Sequence, residues 1–247
     1  MVLRFVKGGE VGVAQAPGIF EKIGVEVEPL QTARSVTIRS YRRADRQTIR
    51  QICCDTGFLG KPVDAIFQDR ELFADLFTKP YLEHEPEWAL VAEAEHQVIG
   101  YLLGSVSRHF EAKLMCSGFQ TVMKMLFRLA LGQYREHPRS RQFIAWLLSA
   151  GMREQPKHPP GAAHLHFDVD RRYRGRGIGQ RFWEVFEERL RQTGIPRCYG
   201  AFFSHPRRRP EWVYARFGFS IFDRRRTTLF TPEVLEPVEV VCVHKTI

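Results

Sequence analysis

The chain has 247 residues, 44% hydrophobic and 26% charged. That is enough apolar content, spread along the whole length, for one large domain or a domain with an elaboration, and too much for a disordered chain. A formal net charge of +9 suits an anionic ligand or partner (nucleic acid, an acidic membrane face, a phosphorylated coenzyme) without choosing among them. The five cysteines are odd in number and lack C-x-x-C spacing, which argues against a disulfide framework or zinc ribbon and for reduced thiols in a cytoplasm. No continuous apolar h-region opens the sequence, and no apolar run is long enough to cross a bilayer.

Residues 1–34 are mixed, glycine-rich and without an assignable pattern, so they read as an N-terminal extension to a domain at 35–247. Ser35–Tyr41 alternates like a strand, and Gln47–Cys54 suits a helix. Asp69–Leu76 suits another, with Leu72, Phe73 and Leu76 on one side. Trp88–Ala92 and Val98–Ser105 flank a polar turn and predict a hairpin. From about 108 to 160 the spacing becomes helical, broken at His137-Pro138, which predicts an amphipathic helical insertion closed by Gln155–Gly161. The strand Ala163–Val169 follows, then a glycine-rich turn and a helix to about Gln192, stopped by Gly194 and Pro196. Arg197–Ser204 predicts a strand, Glu211–Phe217 a short helix, and Phe219–Phe230 and Val238–His244 the last two strands. Strand and helix alternate through the second half, which implies an α/β sheet.

The turn Arg174-Gly175-Arg176-Gly177-Ile178-Gly179 stands out. It opens a helix whose Ile178, Phe182, Val185, Phe186 and Leu190 fall at helical spacing. The first N–H groups of such a helix have no partner, and an anion placed there meets both them and the positive end of the dipole. Glycine leaves room for phosphate oxygens, and Arg174 and Arg176 add charge. A dinucleotide fingerprint would need glycine at position 180, which is Gln180, and a P-loop would need a lysine that is missing.

The strand His164–Val169 with Arg172–Gly179 resembles the acetyl-CoA motif of the GNAT acetyltransferase superfamily, [RQ]-x-x-G-x-[GA]. Val213-Tyr214-Ala-Arg-Phe217-Gly218-Phe219 resembles the F-Y-x-x-x-G-F segment of the same superfamily. The resemblance covers 163–245 well and 35–105 weakly, and it leaves the insertion outside the common core. It implies a GNAT fold, a mixed central β-sheet flanked by helices, with the helical insertion before the coenzyme-binding strand. It also implies acetyl-CoA as cosubstrate and transfer of the acyl group to an amine by direct attack in a ternary complex. On the same resemblance the backbone near Phe167 and Val169 pairs with the pantetheine arm, and Arg174, Gly175, Arg176, Gly177, Ile178 and Gly179 hold the pyrophosphate, with Gln180 reaching a phosphate oxygen.

Tyr214 matches the family tyrosine that faces the thioester sulfur. Full proton transfer from a tyrosine to a thiolate is uphill by roughly 2 kcal/mol, so hydrogen bonding as charge develops is the more economical role. The amine must lose a proton, and His166 is the first choice as base or substrate contact; a satisfied core histidine is the competing reading. His164, His166 and Asp168 share a face if the strand is regular, whereas a bulge would reverse that parity. The His-x-His-x-Asp pattern also suits a metal, but nothing else in the chain supplies partners, and no metal is expected. Arg207, Arg208 and Arg209 are candidates for the adenosine 3′-phosphate. The insertion has three homes for its apolar stripe: a lid over the acceptor, a homodimer contact or a membrane surface. A cap on its own domain is the preferred reading. Two other functions compete: an idle acyl-CoA sensor, and a nucleic-acid binder for which no familiar motif appears.

Overall fold

The computed structural model describes residues 5–7, 10–12, 36–107 and 109–247. The expected extension, 1–34, lies outside the described residues except for two short strands, β1 (Phe5–Lys7) and β2 (Glu10–Gly12), which pair antiparallel. Val36–Ile247 forms a separate compact unit.

That unit runs β3 (Thr37–Ser40), α1 (Arg46–Thr56), α2 (Arg70–His84), β4 (Ala89–Ala94), β5 (Gln97–Ser105), α3 (Phe110–Ala130), α4 (Pro138–Ser149), β6 (Ala163–Val169), α5 (Ile178–Gln192), β7 (Arg197–Ser204), α6 (Glu211–Arg216), β8 (Ser220–Thr227) and β9 (Val238–Thr246). The strands form one mixed sheet in the order β3-β4-β5-β6-β7-β9-β8. Every neighbouring pair is antiparallel except β6 and β7, which are parallel.

Strand alternation divides the core in two. Val91, Tyr101 and Leu103 pack with α1, α2 and the insertion on one face. Leu90, Leu102, Leu165 and Val169 pack under α5 and α6 on the other. On α5, Ile178, Phe182, Phe186 and Leu190 are buried, the stripe that helical spacing predicts.

The helix expected over 69–76 extends to His84, through Pro80. Proline lacks the N–H that would bond back one turn, yet Tyr81 and Leu82 are buried in the core, and that packing carries the helix on. The Asp69 carboxylate caps α2 by accepting the Leu72 N–H at 3.1 Å. It also accepts from Arg128 at 2.7 Å and from the Tyr134 hydroxyl at 2.5 Å, which ties the insertion to α2. The break at His137-Pro138 is real: Pro138 occupies the first turn of α4, where its missing N–H costs nothing.

Candidate active site

β6 and β7 pair over only three residues, Ala163 with Cys198, His164 with Tyr199 and Leu165 with Gly200. Beyond Leu165 and Gly200 they part, while β6 stays paired to β5 as far as Val169 and β7 to β9 as far as Ser204. The sheet therefore opens between its two parallel strands toward their C-terminal ends, the side on which open α/β sheets bind ligands.

The turn after β6 borders this opening. Gly175 (φ +76°) and Gly177 (φ +75°) both sit in the left-handed region, and a Cβ at either would meet nothing within 4 Å. Gly177 is the N-cap of α5 and brings no side chain to cap it. Among the described residues no acceptor takes the N–H of Ile178, Gly179 or Gln180. The helix thus presents unpaired amides and its positive dipole end to open space, the arrangement that holds phosphate. Gly179 serves packing instead. A Cβ there would stand 3.2 Å from the Phe167 ring, so its absence lets the first turn of α5 lie directly on β6.

Tyr214 enters from α6. Its ring stacks on Phe202 at 4.8 Å and meets Phe167 at 5.5 Å and Phe219 at 5.4 Å. Its hydroxyl lies over Gly200, 3.5 Å from where a Cβ would be, at the point where the parallel strands separate. Burial, then the charge of Asp168, push this hydroxyl well above the usual tyrosine range, so it stays a neutral donor.

The opposite face of β6 is polar. β5 and β6 pair without a register shift from Gly100–Val169 to Ser105–His164, so no bulge intervenes and His164, His166 and Asp168 share one face. The His166 Nε2 lies 3.1 Å from the Asp168 carboxylate. Tyr101, directly opposite Asp168 on β5, donates its hydroxyl to the same oxygen at 3.1 Å. Burial works against the Asp168 charge, but His166, Arg208 and the Tyr101 hydroxyl outweigh it and hold the carboxyl below the ordinary range. An ionised carboxylate only accepts, so the imidazole hydrogen belongs on Nε2 and the lone pair on Nδ1. His164 is used differently: its Nδ1 meets the Tyr81 hydroxyl at 2.7 Å, and burial lowers its pKa to about 3, so it is neutral. A cleft of about 510 Å³ near the C-terminal end of β6 is lined by Ile52, Asp55, Thr56, Pro62, Asp170 and Arg171, among others.

The sequence model of the Acetyltransferase (GNAT) family matches residues 60–219. The chain belongs to this family. Solved structures agree on the GNAT fold. SsHAT is 26% identical with a TM-score of 0.57, over 86% of this chain and 98% of that one. The ribosomal-protein-alanine N-acetyltransferase of Brucella melitensis is 15% identical with a TM-score of 0.51, over 85% and 99%. The protein yncA of Salmonella typhimurium, solved with its cofactor acetyl-CoA, is 15% identical with a TM-score of 0.51, over 85% and 93%.

Within this GNAT fold the side chains near the turn are arranged in a way the motif alone does not show. The Arg174 guanidinium reaches the Val169 carbonyl at 3.0 Å and the Gly60 carbonyl at 3.1 Å, so it braces the turn against the loop after α1. Arg176 lies over the Tyr173 ring at 5.2 Å, and the Gln180 amide donates to Glu184 at 2.9 Å. Arg176 stays exposed, whereas Arg174 and Gln180 use side-chain donors within the chain. The three arginines after β7 also diverge: Arg207 pairs with Glu236 at 2.7 Å, Arg209 covers Trp212 at 5.7 Å, and Arg208 turns inward to the Phe203 carbonyl at 3.1 Å. Tyr101, and the inward turn of Arg208, escaped sequence reasoning. Their signal is a strand register and a loop path, neither of which is local. Among the described residues, no three His, Cys, Asp or Glu side chains converge as a metal site, and no helix is long and apolar enough to cross a membrane.

Proposed function

We propose that this GNAT protein is an N-acetyltransferase that takes acetyl-CoA as cosubstrate and passes the acetyl group directly to an amine in a ternary complex. One observation carries the reading: the Tyr214 hydroxyl stands at the apex of the parted strands, beside a helix N-terminus whose amides are open. The pyrophosphate rests on the amides from Gly177 to Gln180. The pantetheine arm lies along the free edge of β6 near Phe167 and Val169; the Val169 carbonyl already accepts from Arg174, so that edge has fewer acceptors to give. The thioester then reaches Tyr214.

The amine approaches from the polar face of β6. The Nδ1 of His166 takes its proton, while Asp168 orients the ring and offsets the charge it gains. The amine attacks the thioester carbonyl and the sulfur leaves as thiolate, stabilised by the Tyr214 O–H. A neutral donor with a raised pKa stabilises this charge by hydrogen bonding, not by early proton transfer. The protein works as one domain at 35–247 with an appended N-terminal segment, in a cytoplasm.

The test is release of free CoA thiol from acetyl-CoA against a panel of amines, amino acids and peptides, with Tyr214→Phe beside the wild type. Acceptor-dependent release that falls about 10–100-fold in kcat for the variant, with acetyl-CoA affinity unchanged, supports the reading. Tight acetyl-CoA binding with no acceptor-dependent release from any amine would favour the sensor instead.

A further inference from the structure

We infer that the exposed face of α3 is a homodimer interface, on which a second copy of this chain packs through its own α3. One face of α3 is accounted for: Ser117, Thr121 and Met125 are buried toward the domain. The other is bare. Met115, Phe119, Met123, Phe127 and Leu131 recur every fourth residue, and each remains 47% to 66% exposed. Cys116 lies on the same side and is exposed, whereas the other four cysteines are buried. The preferred sequence reading of the insertion, a cap on its own domain, therefore accounts for only half of this helix.

Area selects the occupant. Large side chains carry about 150–250 Å² each, so five at this exposure present on the order of 600 Å². That stands at the upper end of what the largest apolar patch of a monomer normally reaches, and patches of that size are often functional. Covered on two copies, it amounts to about 1,200 Å², the lower bound of specific protein interfaces, before Ala112, Cys116 and Ala130 add theirs. Phe and Met are also residues that interfaces favour. A ridge of every-fourth residues is complementary to itself, since two such ridges interdigitate at a crossing of about −50°, the commonest helix packing. A two-fold axis then sets the same patch on both partners.

Charge argues against a lipid surface. An amphipathic helix on an anionic membrane needs cations free along its edge. Here Lys113 leans toward Glu85 at 3.9 Å, and Arg128 is held by Asp69 at 2.7 Å and Glu71 at 2.6 Å. Much of the cationic edge of α3 is thus neutralised inside the chain.

Sedimentation equilibrium of the full chain at micromolar concentration is expected to give the mass of two chains. The double variant Phe119→Glu/Phe127→Glu should give one chain, with a dissociation constant raised about 100-fold or more. Both positions are exposed, so the fold is expected to survive; circular dichroism checks this, and Met123→Glu is the replacement if it does not. Maleimide labelling of Cys116 should be at least about tenfold faster in the variant, since labelling tracks the unpaired fraction. A wild type that sediments as one chain overturns the inference, as does a double variant that still sediments as two. Cys116 protected in a single-chain species would mean that the chain covers this face itself. Flotation of a single-chain wild type with phosphatidylserine vesicles would mean that a bilayer does.

Discussion

The two faces of β6 make an instructive contrast. Leu165, Phe167 and Val169 lie on one side, against α5 and near Tyr214; His164, His166 and Asp168 lie on the other, against α1, α2 and the insertion. The first face leads into a turn of glycines and the open amides of α5. The second is built of ionisable side chains that hydrogen-bond to one another and to Tyr81 and Tyr101. A strand with a period of two carries two different surfaces within seven residues, and the proposed function gives coenzyme binding to the first and proton handling to the second. On the proposed function, substitutions on the first face are expected to cost coenzyme affinity, and those on the second to alter turnover.

The largest effect is expected at Gly177. Gly177→Asp places a carboxylate at the N-cap of α5, where it competes for the amides a phosphate would use and repels that phosphate. Isothermal titration should show acetyl-CoA affinity reduced by about 100-fold or more, some 3 kcal/mol, with the fold retained. Unchanged affinity would remove the helix N-terminus from the binding site.

A smaller effect is expected at Asp168, on the other face. Asp168→Asn keeps the shape but removes the charge 3.1 Å from the imidazole. It should lower kcat/KM by about 10–100-fold with acetyl-CoA binding intact. A variant with wild-type kcat/KM would remove Asp168 from the reaction.

The smallest effect is on stability, at His164. Its folded pKa of about 3 lies below the unfolded value near 6.5, so between these the unfolded chain binds more protons. Its contribution is fully present above pH 6.5 and declines as pH falls toward 3. Between pH 6.5 and 5 the loss is at most about 2 kcal/mol, less where solvent reaches the ring. Urea denaturation across that range should show the decline in the wild type and a flatter profile in His164→Gln. Equal slopes would place the titrating group elsewhere.

Elements and motif were legible because both are local. The alternation in Arg197–Ser204 matches the observed strand to the residue, and the glycine turn was found between a strand and a helix. Spacing likewise separated the two helices of the insertion at Pro138. Less was legible in the site. The motif assigns Arg174 and Gln180 to the coenzyme, yet the Arg174 side chain spends its donors on carbonyls at 169 and 60, and that of Gln180 on Glu184. No spacing in one chain reports a partner 114 residues away.

By itself, the sequence determined most of the strands and helices and the place of the glycine turn between β6 and α5. These follow from side-chain period and from the backbone preferences of glycine and proline, which act over a few residues. Only the tertiary structure decided that β6 and β7 part after Leu165 and Gly200, that Tyr101 stands opposite Asp168, that Tyr214 closes over Gly200, and that α3 keeps an apolar face uncovered. Register and strand divergence are set by the packing of two helical layers on one sheet, a balance struck across the whole domain.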